Sequence, residues 1–94
     1  MQKIYLDHNA TTPVLQEVLD VMLPFYKHGF GNPSSVHSEG RAARVRLDEA
    51  REQVAELIGA QSGEVVFTSG GTESNNLALL GCKSSTTLVS DIEH

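Results

Sequence analysis

The stretch TSGGTESNN, Thr68–Asn76, follows the apolar run Val65–Phe67 and precedes LALL. A strand-like run, a glycine-rich loop and a helix start together make a general anion-binding arrangement. The first helical N–H groups lack backbone partners, and the helix dipole adds partial positive charge. Gly70 and Gly71 allow close approach and unusual dihedrals. Ser69, Thr72 and Ser74 can donate hydroxyl hydrogen bonds. A phosphate fits such a loop, and so does a plainer reading, a Ser/Thr-capped helix after a tight turn. The acid within the stretch, Glu73, suits the first turn but would repel an anion if it faced one, so it is expected to point away. The Walker pattern GxxxxGK(S/T) and the dinucleotide pattern GxGxxG are both absent.

Other reactive residues are sparse. His8 and His28 lie in polar loops with no second ligand at helix spacing, so no metal site is expected. His37 lies in a longer loop, where it either faces a site or makes a loop hydrogen bond. Cys82, the sole cysteine, excludes an internal disulfide and fits a reducing compartment. It follows Gly81 and is expected to be a small, partly buried, inert thiol.

These residues need elements to hold them. Val14, Val18, Leu19, Met22 and Leu23 recur at helical spacing, which predicts a helix over 14–23 that Pro24 ends or kinks. KHGFGNPSSVHSEG then reads as a long loop of several turns. Ser38 or a neighbour can cap the next helix, in which Ala43, Leu47, Ala50, Val54, Leu57 and Ile58 form one apolar stripe up to a stop at Gly59. EVVFT and TLVSD read as strands, with a short helix NNLALLG between them ending at Gly81.

Ninety-four residues make one small domain or part of a larger one, with a marginal core. The formal charge of −5 argues against a nucleic-acid surface. Arg41, Arg44, Arg46 and Arg51 interleave with acids, the pattern of a solvated helix face. No signal-peptide core or membrane-length apolar run is present, so a cytoplasmic protein is expected, with no membrane partner.

Four segments occur in order: YLDHNATTP (Tyr5–Pro13), GFGNPSSVHSEGR (Gly29–Arg41), VFTSGGTESNNLAL (Val66–Leu79) and a closing EH (Glu93–His94). Together they resemble the amino-terminal part of a cysteine desulfurase, in the class V group of pyridoxal-phosphate (PLP) enzymes, over essentially the whole chain. The resemblance implies an α/β chain, the amino-terminal portion of the type I PLP-dependent transferase fold. That fold has a mostly parallel sheet with flanking helices, in which 64–68 and 87–91 are not neighbours. Residues 1–62 would form loops and helices around the active site, and 63–94 the start of the large PLP-binding domain. The resemblance maps cofactor-phosphate contacts onto the Gly71 N–H and the Thr72 hydroxyl. It makes His94 the ring-stacking and proton-transferring residue, both cofactor-binding and catalytic.

The reaction implied moves sulfur from L-cysteine onto an enzyme cysteine as a persulfide, releases L-alanine and passes the sulfur to an acceptor protein. Iron–sulfur cluster assembly and tRNA thiolation are both open as destinations, and the full-length enzyme would be a homodimer. Lys3, Lys27 and Lys83 do not sit in the Ser-x-His-Lys setting of the family's cofactor-linking lysine, and Cys82 is not its nucleophile. The chain is therefore expected to be a truncated or partial desulfurase, inactive alone. Two other readings stand beside it: a short non-catalytic protein that binds a desulfurase or a phosphate ligand, and another class V enzyme such as a selenocysteine lyase or an aminotransferase.

Overall fold

The computed structural model describes residues 4–83 and 86–92. Helix α2, Ser38–Ile58, is its longest element. Gly59 ends it in the left-handed conformation, φ 68°, with its N–H returning to Glu56 O and Ala60 N–H to Ala55 O. The predicted solvated face is present. Arg44 pairs with Asp48 at 3.0 Å and Arg51 with Asp48 at 2.5 Å along one side of the helix, and Arg46 with Glu49 at 2.8 Å on the opposite side. A 3-10 turn, Ser62–Glu64, packs back on α2, and Glu64 Oε2 accepts from Gln61 N–H at 2.8 Å. Arg51 lies 5.5 Å over the Phe67 ring, which ties α2 to the segment leading into the glycine loop.

Helix α1 spans Gln16–His28 and runs through Pro24. This corrects the expectation that the helix stops near residue 23. Proline removes one ladder hydrogen bond without forbidding the helical φ, so four more residues follow.

The loop between α1 and α2 is closely built. Asn32 Oδ1 accepts from Ser34 N–H at 2.9 Å, Ser35 N–H donates to Asn32 O at 2.9 Å, and an Arg41 guanidinium N–H donates to Val36 O. His37, not Ser38, caps α2, its Nδ1 accepting from Gly40 N–H at 3.3 Å. A Cβ at Gly31 would lie 2.2 Å from Glu39 O, and one at Gly40 2.3 Å from Ser35 O. Main chain packs here directly on main chain.

Helix α3, Gly71–Gly81, starts four residues before the expected NNLALLG and ends where expected. Most of TSGGTESNN is therefore helix, and the loop proper is 68–70. No strand occurs among the described residues. The segments 64–68 and 87–91, expected as strands, carry no ladder. A strand needs partner N–H and C=O groups, and these two segments, expected not to be neighbours, do not pair with each other. Ala55, 3% exposed, is the only buried apolar residue among the described ones. The radius of gyration is 17.8 Å, against about 12 Å for a compact domain of this length.

Candidate phosphate site at the start of α3

The site is built from the hydroxyls and the carboxylate around Gly70. Thr68 Oγ1 and Ser74 Oγ lie 2.6 Å apart, and each also reaches Gly70 O, at 3.2 and 3.1 Å. Two hydroxyls hold two protons, so one bridges the pair and the other goes to the carbonyl. Ser74 N–H adds a backbone bond to the same oxygen at 3.1 Å. With its carbonyl so held, the trans Gly70–Gly71 peptide is fixed, and the Gly71 N–H points the opposite way, out from the carbonyl's partners.

Glu73 turns backwards, as expected. Its Oε2 accepts from Ser69 N–H at 2.7 Å and Ser69 Oγ–H at 2.5 Å. Those two bonds hold its carboxyl below the usual carboxylate range, the hydroxyl contributing most. Gly70 provides no side-chain cap. The N–H groups of Gly71, Thr72 and Glu73 precede the first helical bond and form the open end of the helix.

Three hydroxyls were read as candidate donors to an anion. The structure separates them. Ser69 is committed to Glu73 and Ser74 to the Gly70–Thr68 lock. The Thr72 hydroxyl makes no hydrogen bond among the described residues. The expected dihedral role of the glycines is corrected as well. Gly70 is extended, φ 166°, and a Cβ on Gly70 or Gly71 would meet nothing within 4 Å. Nothing inside the described chain demands glycine at 70, and the space before the helix end is open to an outside group.

A cleft of about 890 Å³ runs beside this end, lined by Gly71, Thr72, Asn75 and Leu79 of α3 and by Leu88 and Val89 opposite. Its volume lies within the usual range for cofactor sites, roughly 300–1,000 Å³. The residues present thus fit a phosphate ester: open N–H groups, an uncommitted hydroxyl, no carboxylate aimed at the opening, and a partly apolar cleft beside it.

The other expected residues fall elsewhere. His94 lies outside the described residues. His37 is committed to the α2 cap. His8 stands edge-on to Tyr5, ring centroids 5.0 Å apart, in a turn where Tyr5 Oη and Thr11 Oγ1 are 2.5 Å apart. Cys82 is exposed, where partial burial was expected. Among the described residues no group of His, Cys, Asp and Glu could hold a metal ion. Sequence reasoning missed the Thr68–Ser74–Gly70 lock; its signal was a hydroxyl residue on either side of Ser69–Glu73.

The family profile for aminotransferase class-V matches residues 4–94. The chain belongs to that family. Members of the aminotransferase class-V family similar to this chain include the cysteine desulfurase IscS of Dictyoglomus turgidum, 56% identical over 80 residues, covering 85% of this chain and 20% of that one. Cysteine desulfurase IscS 1 of Archaeoglobus fulgidus is 51% identical over 96 residues, covering 96% of this chain and 25% of its own. The selenocysteine lyase of Bos taurus is 49% identical over 78 residues, covering 83% and 18%. The chain thus spans about a fifth to a quarter of the length of the curated relatives it matches.

Proposed function

We propose that these residues are the amino-terminal portion of a PLP-dependent cysteine desulfurase, and that the start of α3 receives the cofactor phosphate. The observation that carries this reading is the open N-terminus of α3, with its uncommitted Thr72 hydroxyl, in a chain more than half identical to cysteine desulfurases. PLP, when bound, supplies an electron sink for the bonds around the substrate's amine-bearing carbon. The N–H groups of Gly71 and Thr72 and the Thr72 hydroxyl bind and orient the phosphate, and the helix dipole favours its charge. His94 is the proposed ring-stacking and proton-transferring residue.

The remaining length of a full family member would carry the lysine that links the cofactor and the cysteine that takes sulfur from L-cysteine, leaving L-alanine. It would also supply the strands between 64–68 and 87–91. The boundary near residue 62, between active-site surround and large domain, is part of this reading, as are the homodimer, the mostly parallel sheet and a sulfur-acceptor protein.

The test uses a chain of full family length beginning with these 94 residues. With PLP, L-cysteine and a thiol reductant it is expected to release sulfide and L-alanine in equal amounts. Failure to form alanine would overturn the reading. The selenocysteine lyase among the relatives favours a second reading. A kcat/KM for L-selenocysteine far above that for L-cysteine would put it first.

A further inference from the structure

A carboxylate at the third position of a helix ordinarily serves its own helix, by accepting from the N-cap N–H or from the first free N–H groups. In α3 the same carboxylate would then stand in front of the Gly71 and Thr72 N–H groups and compete with any anion arriving there. Glu73 does neither. Both of its bonds go to Ser69, the residue before the N-cap, through N–H and hydroxyl. Two consequences follow. The charge is turned away from the open end of the helix. The chain entering the helix is held at Ser69 on one side of Gly70, while Thr68 and Ser74 hold the Gly70 carbonyl on the other.

We infer that Glu73 is a positioning residue for the phosphate subsite: its clamp on Ser69 sets the direction of the Gly71 and Thr72 donors and keeps the carboxylate off them. This rests on the PLP reading above and deepens it. The depressed carboxyl of Glu73 keeps the clamp charged at neutral pH. The clamp touches no cofactor atom, so its effect is carried by the main chain of 69–71.

The sign of the effect separates this role from the simplest rival. A carboxylate near a phosphate site, if it only repelled the phosphate, would weaken binding, and its removal would tighten it. A clamp does the opposite.

The experiment compares PLP with pyridoxal, which lacks the phosphate, as ligands of the full-length apo-protein, with binding read by absorbance or fluorescence titration. The wild type is expected to prefer PLP strongly. E73A is expected to lose about tenfold in PLP affinity, the size of losing hydrogen bonds to a charged group, with pyridoxal affinity unchanged. E73Q, which keeps an acceptor oxygen for Ser69, is expected to recover most of that loss. S69A is expected to lose a smaller part, and E73A with S69A together no more than E73A alone.

An unchanged PLP-to-pyridoxal ratio in E73A, an equal loss for both ligands, or tighter PLP binding would each overturn the positioning role while leaving the PLP reading intact. A wild type that binds PLP no better than pyridoxal would overturn the phosphate reading itself. Should E73A fail to fold, S69A and E73Q carry the same comparison. Full PLP preference in both would then count against the clamp.

Discussion

At the scale of single residues, the loop distinguishes groups that look interchangeable on paper. Thr72→Val removes the one uncommitted hydroxyl and keeps the shape. It is expected to weaken PLP about tenfold in the full-length protein, with thermal stability changed little. Gly71→Ala is expected to be tolerated, because the N–H is kept, φ is helical, and a new Cβ meets nothing within 4 Å. A PLP affinity within about twofold of wild type checks this, and Ala should favour α3 by up to about 1 kcal/mol. Glu73 offers a pH test. Its folded carboxyl is depressed, so the clamp is fully present above the unfolded glutamate value, about 4.3, and is lost as pH falls through the lower folded value. The Ser69 amide resonance should follow that titration with a midpoint below 4.3; a midpoint at or above it would refute the clamp in solution. The anion-binding character of the helix start and the outward turn of Glu73 were legible in residue types. Which hydroxyl stays uncommitted was not, because Thr, Ser and Ser are alike until their distances to Glu73 and to Gly70 are known.

At the scale of elements, the ends marked by backbone chemistry were the readable ones. Gly59 and Gly81 end their helices as expected. Gly59→Ala, at φ 68°, should cost about 1 kcal/mol, read by chemical denaturation of the full-length protein, and Gly59→Asn less. Starts and continuations were read less well. Pro24 was expected to end or kink α1, and the turn Phe25–His28 follows it. In a peptide covering 13–29, Pro24→Ala should raise the far-ultraviolet helical signal, since an interior proline costs about 3 kcal/mol. The cap of α2 was expected at Ser38 or a neighbour, and the neighbour His37 supplies it. A ring nitrogen can replace a hydroxyl as acceptor, and propensity rankings underrate that option.

At the scale of the whole chain, the helices stand clear of one another while their apolar faces lie open. Val18, Leu19, Met22 and Phe25 of α1 are all exposed, as are Leu57 and Ile58 of α2. The accessible surface is 8903 Å², against about 5,300 Å² for a compact protein of this mass. The 94 residues expressed alone should therefore show no cooperative thermal transition. Small-angle scattering should give a radius well above about 12 Å; a sharp melt with a compact radius would contradict this. The expected sheet rested on two β-branched runs, and neither forms a ladder among the described residues. A strand exists as a pair, and neither run has its neighbour among the described residues. No helix among the described residues is long and apolar enough to cross a membrane.

The contact of Gly31 with Glu39 O and of Gly40 with Ser35 O bears on how this chain can change over generations. The path of the 29–40 loop is held by close main-chain packing at Gly31 and Gly40 and by side-chain bonds from Asn32, His37 and Arg41. Drift at outward positions such as Phe30, Ser34 and Val36 leaves that path intact, while one methyl group at either glycine breaks it. A saturation library across 29–40 should therefore show its least varied columns at 31 and 40, intermediate ones at 32 and 37, and permissive ones at the outward positions. The loop can vary the chemistry it displays while holding its shape, a division of labour that lets one scaffold be retuned without being rebuilt.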